Sequence, residues 1–443
     1  MSKKKEDLKH ILDLVEEYVE DHLGEEWSPG KWVKYAGPYF DASEYKNGIE
    51  SLLGGWLALG ADAIKFENRF PAHLGKNYGL LTNSGSSANL LMMSALKSQR
   101  LYDLPIGTKV LTPIAGFPTT INPILQVGFT PVFIDIELDT LNLNLDLAEE
   151  ALKGGDIKVI TFAHVLGNPP NMDKLMDLVH KYDLILLEDC CDALGSTYDG
   201  KPLGSFGEMA SCSFYPAHHI TTGEGGFVAT KTMEQERVVR SFREWGRACY
   251  CVGKANLAAE GTCGQRFSNW LPCLPNDIFD HKYVYSEIGY NLKPIELQAA
   301  IGLAQLEKLP EIGTLRRRNH GLLQEIFAKY ENYFHLPTAT LGADPDWFAY
   351  ALTIKDKTPF TRSEFCTFLE SRRVQTRPYF AGNIMLQPAY ADLVSSEEII
   401  SAYPVARKVT TDTFFLGCSP VITPEKIEYI SQTVTEFMER ISR

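Results

Sequence analysis

From about residue 75 the chain alternates short, nearly continuous apolar runs with longer stretches of helical periodicity. Residues 109–112, 131–136, 159–165, 184–188, 210–214 and 227–230 form runs with little polar–apolar alternation, several of them rich in β-branched residues. Strands of this kind are buried on both faces, as in a parallel sheet covered by helices. Residues 87–101 read as the first crossover helix. After about residue 300 the pattern changes. Residues 301–309 are helical and stop at Pro310, because proline lacks a donor and clashes with the preceding turn. A second helix follows over about 314–330, then a strand at 348–354 and a last helix over about 424–442. Near the start, Leu8, Ile11, Leu12, Val15 and Val19 recur at helical spacing among acids and lysines, marking an amphipathic helix.

The expected fold is therefore α/β, with a mostly parallel central sheet and a smaller α+β domain. The expected divisions are an N-terminal helix and arm over 1–50, packing on the small domain or a partner, a large domain over 51–310 and a small domain over 311–443. In such sheets ligands bind beyond the carboxyl ends of the strands. Gly85, Phe117, His164, Asp189 and the loop around His218 fall there.

Composition narrows the function classes. A net charge of −13 argues against nucleic acid and anionic membrane surfaces as partners. No apolar run approaches the length of a membrane span. Lys3, Lys4 and Lys5 precede an amphipathic helix rather than the apolar core of a signal peptide, so the expected location is the cytoplasm. Nine cysteines, an odd number, then point to reduced thiols or metal ligands rather than a disulfide framework.

Four segments carry candidate chemistry. Thr82-Asn83-Ser84-Gly85-Ser86-Ser87-Ala88-Asn89 follows an apolar stretch and opens a helix. Exposed amides there suit a phosphate, and the same residues also read as a plain N-cap. Leu187-Glu188-Asp189-Cys190-Cys191-Asp192 ends a strand in acids, which serve either a cofactor or a helix cap. Phe117 follows Gly116 and reads from the residues alone as core. Ser213-Phe214-Tyr215-Pro216-Ala217-His218-His219-Ile220-Thr221-Thr222-Gly223-Glu224-Gly225-Gly226 is the most distinctive run.

These segments resemble, in order, the motifs of the DegT/DnrJ/EryC/StrS sugar aminotransferases. The resemblance implies an aspartate-aminotransferase-type fold (fold type I) and a pyridoxal-phosphate or pyridoxamine-phosphate cofactor. It implies that Gly85 and Ser86 hold the phosphate with Ser213, that Phe117 stacks on the pyridine ring and that Asp189 pairs with its nitrogen. His218 stands where the family has its Schiff-base lysine. Without that lysine the aldehyde form cannot be held covalently, whereas the amine form can be bound and an imidazole can move its protons. Asp192 replaces the usual Gln or His, as in the histidine-containing dehydratase branch. Tyr215 and Asp192 are thereby placed beside His218. Gly289-Tyr290-Asn291-Leu292-Lys293 resembles a signature whose asparagine reaches the neighbouring subunit's cofactor, so Asn291 implies a homodimer. Arg377 falls where the small domain faces the nucleotide sugar; from the residues alone it reads equally as a solvated arginine.

The cysteines resemble those of the family's iron–sulfur 3-dehydratases. That resemblance implies a [2Fe–2S] cluster on Cys191, Cys249, Cys251 and Cys263, with Cys190 as the competitor of Cys191. The Cys251–Cys263 loop is longer than in enterobacterial members. The implied activity is C3 dehydration and deoxygenation of a nucleotide 4-keto-6-deoxyhexose, CDP being the expected nucleotide, in 3,6-dideoxysugar synthesis. An NAD(P)H-dependent flavin or iron–sulfur reductase would supply electrons. Rival readings are a TDP-sugar enzyme of the same type, a cluster-free GDP-4-keto-6-deoxymannose 3-dehydratase, and an inactive structural relative.

Overall fold

The computed structural model describes residues 3–22, 24, 26–249, 266–391 and 396–441. Its centre is a seven-stranded sheet built from β1 (Tyr78–Thr82), β2 (Lys109–Pro113), β3 (Thr130–Ile134), β4 (Ile157–Ala163), β5 (Ile185–Asp189), β6 (Met209–Ser213) and β7 (Gly226–Thr230). In space the order is β1-β7-β6-β5-β4-β2-β3. Only β7 runs antiparallel to its neighbours β1 and β6; the remaining pairs are parallel. All five residues of β6 and of β7 are buried, as expected for strands covered on both faces. This is the α/β architecture expected from the pattern, with strand ends shifted by one or two residues. The additional strand β1 follows directly on a short helical turn at Phe70–Leu74 and was not distinguishable as a strand.

A four-stranded antiparallel sheet gathers Phe334–His335, Ala349–Ile354, Thr413–Gly417 and Arg377–Pro378 in that order. The last helix, Pro424–Ile441, packs beside it. The chain reaches this sheet through one helix of 33 residues, Glu296–Ala328. Pro310 does not end that helix, contrary to expectation. The proline sits on the exposed side, while Leu306, Leu309 and Ile312 on the other side are buried in the core, and the packing of that face carries the helix through the proline.

The N-terminal helix, Lys3–His22, lies against the helix Ala42–Gly54, with an ion pair of 2.7 Å between Lys46 and Glu16. The arm after it is sewn to the four-stranded sheet. Val33 N donates to Arg373 O at 2.8 Å, Gln375 N donates to Val33 O at 3.0 Å, and Tyr35 N donates to the Gln375 side chain at 3.2 Å. Among the described residues no helix is long and apolar enough to cross a membrane.

Candidate active site

The carboxyl ends of β4, β5 and β6 open into a cavity of about 600 Å³. Its floor forms where the helix Gly85–Ala95 begins. Ser84 caps that helix, its hydroxyl accepting from Ser87 N at 3.1 Å. The first amides of a helix have no intrahelical partner, so those of Gly85 and Ser86 are free to bind an anion. A Cβ on Gly85 would lie 2.5 Å from Ser213 Cβ and 3.0 Å from Cys191 Sγ. Glycine is thus required for the floor to meet β6 and the β5 end. Gly226 is required for the same reason, since a Cβ there would come within 2.3 Å of Ser84 O.

Asp189 ends β5 and faces the cavity. Its Oδ2 accepts from Asn89 Nδ2 and from Thr120 Oγ1, both at 2.7 Å, and its Oδ1 from Cys191 N at 3.1 Å. Ser211, which donates to Asn89 Oδ1 at 2.5 Å, completes the cradle. A buried carboxylate so held is fixed in position.

The β6–β7 loop carries the histidines. Successive side chains of a strand point to opposite faces. Ser213 lines the cavity, and Phe214 is driven into an aromatic cluster with Phe66 and Phe70, at ring distances of 5.5 and 5.1 Å. The loop is pinned by Thr222 N donating to Phe214 O at 3.0 Å and by a turn closed from His218 N to Tyr215 O at 2.9 Å. His218 and Tyr215 therefore face the cavity, whereas His219 is buried with its Nε2 against Asp346 O at 2.5 Å. His218 Nδ1 lies 3.5 Å from Asp192 Oδ1 and has no hydrogen-bond partner among the described residues. Burial, helped by the charge of Arg316, pushes the imidazole down to about 4. Burial, helped by Asp189, pushes the Asp192 carboxyl up to about 7.

The opposite wall is aromatic. Phe117 caps the helix Pro118–Gln126 and meets Phe380 edge-on at 5.9 Å. Arg377 lies over the Tyr35 ring at 4.5 Å and donates to Thr376 O at 2.7 Å. Phe348 and Phe415 complete that side.

The cavity thus collects Gly85, Ser86, Phe117, Asp189, Cys191, Asp192, Ser213, Tyr215, His218 and Arg377. Asn291 is not among them. It is exposed, bridged to Glu244, and its neighbour Leu292 O accepts from Asn83 N at 2.9 Å, so it runs beside the residue preceding the floor. Cys249 is buried outside the cavity; Cys251 and Cys263 lie outside the described residues. The adjacent thiols part company. Cys191 lines the cavity, while Cys190 points into the core, close to His164 and Glu188. His164 turns from the cavity to Glu188, at 2.9 Å. Asn89 lies in the motif over residues 82–89, but its role as a donor to Asp189 is not legible there; Tyr35, Thr120 and Arg316 come from segments without a motif of their own.

The match to known proteins agrees with this geometry. Residues 38–435 match the DegT/DnrJ/EryC1/StrS aminotransferase family. The chain belongs to that family. It is 39% identical over 436 residues to the lipopolysaccharide biosynthesis protein RfbH of Salmonella typhimurium, covering 97% of this chain and 98% of that one. It is 40% identical over 435 residues to a dTDP-4-dehydro-2,6-dideoxy-D-glucose 3-dehydratase of Saccharopolyspora spinosa, covering 98% and 92%. Among solved structures, the E. coli GDP-4-keto-6-deoxy-D-mannose-3-dehydratase with hydrated PLP superposes with a TM-score of 0.77 at 26% identity, over 90% of this chain and 98% of the other. The fold is that of the fold type I aminotransferases.

Proposed function

We propose that this family member is a nucleotide-sugar 3-dehydratase of 3,6-dideoxysugar biosynthesis, working with pyridoxamine phosphate on a nucleotide 4-keto-6-deoxyhexose. The observation that carries the reading is that a histidine, and no lysine, projects into the cavity at the loop where the family's aminotransferases carry their lysine. The two relatives of 39 and 40% identity, one named as a 3-dehydratase of a TDP-linked sugar, support it.

The cavity fits the cofactor: a floor a Cβ would fill, free helix amides and a carboxylate held by several donors. Bound there, pyridoxamine phosphate would supply an amine to condense with the sugar's ketone and a ring to delocalise the electrons released at its C4′ carbon. Gly85, Ser86 and Ser213 hold the phosphate. Asp189 keeps the ring nitrogen protonated, and Phe117 packs on the ring face. His218, neutral above about pH 4, takes the C4′ proton. Asp192, protonated up to about pH 7, and Tyr215 flank it as donors. Arg377, braced on Tyr35, takes the diphosphate. The C3 hydroxyl leaves as water, and two electrons with two protons replace the C–O bond by C–H.

Those electrons call for a carrier. Cys191, Cys249, Cys251 and Cys263 are assigned to a [2Fe–2S] cluster, and the donor to an NAD(P)H-dependent flavin or iron–sulfur reductase. Burial first, and then Asp189, pushes the Cys191 thiol far above its ordinary range, so iron must displace its proton on binding. A homodimer is supported by exposed apolar side chains near Asn291: Ile295, Ile288, Trp56 and Leu57 are 48 to 95% exposed.

CDP is the preferred nucleotide. The relative named for a TDP-linked sugar, at 40% identity, favours TDP as the second reading. Single turnovers of the reconstituted protein with CDP-, TDP- and GDP-4-keto-6-deoxysugars, followed by mass spectrometry, decide between them. Loss of the C3 oxygen from none of the three sinks the proposal.

A further inference from the structure

Arg316 is a buried cation held, among the described residues, by main-chain carbonyls and by the Cys418 thiol. It is 1% exposed, on the long helix Glu296–Ala328. Its Nη1 donates to Trp347 O at 3.2 Å and Phe348 O at 3.0 Å, and its Nη2 to Ala217 O at 3.4 Å and His218 O at 2.9 Å. No carboxylate among the described residues is within ion-pair distance; the neighbouring Arg317 takes Asp346 instead. Burying a guanidinium with Asp346 and Asp192 near but neither in ion-pair contact is costly, and four charge-assisted hydrogen bonds offset only part of that cost. A residue serving the fold alone could join the same segments without a charge.

Three of the four acceptors belong to residues that line one cavity. Ala217 and His218 are on the β6–β7 loop, and Phe348 is on the other side. The Phe348 and His218 rings are 5.3 Å apart. His218 Nδ1 has no hydrogen-bond partner among the described residues but lies 3.5 Å from Asp192 Oδ1. The Cys191 backbone is a further neighbour, so the direction of the ring is set by these contacts together with its own backbone and packing. Both are in the grip of Arg316.

We propose that Arg316 is a positioning residue for His218: it grips the His218 carbonyl with one nitrogen and the Phe348 carbonyl with the other, fixing the imidazole against the far wall of the cavity. The proposal rests on His218 being the group that moves the C4′ proton, so the test separates the two claims. Full-length Arg316→Lys, Arg316→Gln and His218→Asn proteins are compared with the unaltered chain in two measurements. The first is exchange of the C4′ hydrogens of bound pyridoxamine phosphate into D2O, by NMR. The second, on cofactor-free protein, is the rate at which diethylpyrocarbonate labels His218, by peptide mass spectrometry, with the exposed His10 as reference.

In Arg316→Lys, exchange should fall about tenfold or more, as displacement of a reacting group does, with cofactor affinity little changed. Labelling of His218 should rise several-fold against His10 as the loop loosens. Arg316→Lys keeps the charge and carries both readouts if Arg316→Gln does not fold. Unaltered exchange in the Arg316 variants while His218→Asn abolishes it overturns the positioning role. Exchange that survives His218→Asn overturns the reading of His218 instead; the labelling rates then decide Arg316 alone, and unaltered labelling overturns it.

Discussion

His218 and Asp192 face each other at 3.5 Å, and burial moves their protonation in opposite directions. Both charged forms lose solvation in the cavity wall. Arg316 adds to the cost of a second cation on His218, and Asp189 adds to the cost of a second anion on Asp192. Between about pH 4 and pH 7 the pair is neutral, a free imidazole beside a protonated carboxyl. That is the arrangement needed for one group to accept a proton while its neighbour can give one.

Replacing His218 should therefore stop proton movement without emptying the cavity. His218→Asn should bind pyridoxamine phosphate normally yet lose C3 dehydration by about 100-fold or more, the usual cost of removing a general base. His218→Lys should trap pyridoxal phosphate in a form reducible by borohydride, which the unaltered protein should not do. Absorbance spectra before and after borohydride check both outcomes. A His219→Asn protein that loses dehydration while His218→Asn keeps it would assign the base to the wrong histidine.

The cavity floor makes a steric prediction. A methyl group on Gly85 would sit 2.5 Å from Ser213 Cβ, closer than real Cβ contacts approach. Gly85→Ala must push the helix start away from β6, misaligning the amides of residues 85 and 86. Pyridoxamine phosphate affinity should fall about tenfold or more, roughly 1.4 kcal/mol, while phosphate-free pyridoxamine should bind as before. Fluorescence titration with the two ligands makes the comparison, and an equal loss for both would place the phosphate elsewhere.

Legibility in the sequence followed physical causes. The β4 to β7 strands could be read because strands covered on both faces are mostly apolar, their few buried polar residues, such as Glu188, Asp189 and Ser211, having hydrogen-bond partners. Pro310 misled because the packing of Leu306, Leu309 and Ile312 on either side of it outweighs the hydrogen bond that the proline removes. Gly85, Asp189 and His218 lie in runs whose residue types suit particular chemistry. Arg316 lies in Arg316-Arg317-Arg318-Asn319, which looks like a solvated helix face; only the packing of that helix under the β6–β7 loop buries it. Tyr35 joins the cavity because the arm is tied to residues 373–375, more than 300 positions away in the chain.

Acid stability provides a test outside the cavity. His320 stacks on Trp347 at 4.1 Å, its Nε2 has no hydrogen-bond partner among the described residues, and burial pushes it down to about 3. In the unfolded chain a histidine takes up its proton near pH 6.5. As pH falls from about 6.5 to about 3 the unfolded state binds a proton that the folded state refuses, so stability is lost across that window, on the order of 1.4 kcal/mol per unit at most. His219, also pushed down by burial, acts in the same direction. His320→Phe keeps the stack and removes one titrating group. Its Tm should drop less than that of the unaltered protein between pH 7 and pH 4.5, as followed by circular dichroism. An identical drop would show that His320 carries none of the acid sensitivity.

The two neighbouring thiols give the sharpest test of the iron assignment. Cys191 faces the cavity beside Gly85, whereas Cys190 is fully buried in the core, where burial and Glu188 both hold its thiol protonated. A cluster needs thiolates it can reach. Cys190 could become a ligand only if β5 unpacked. Anaerobically purified protein should hold about two irons and two sulfides per chain. Cys191→Ala and Cys249→Ala should lose them, while Cys190→Ala and Cys366→Ala should retain them, with circular dichroism showing that each variant is folded. The same iron measurement decides between an iron–sulfur and a cluster-free dehydratase. Full iron in Cys191→Ala with loss in Cys190→Ala would mean that the β5 end rearranges around the metal. Iron at trace levels in the unaltered protein would remove the cluster, and with it the need for a reductase.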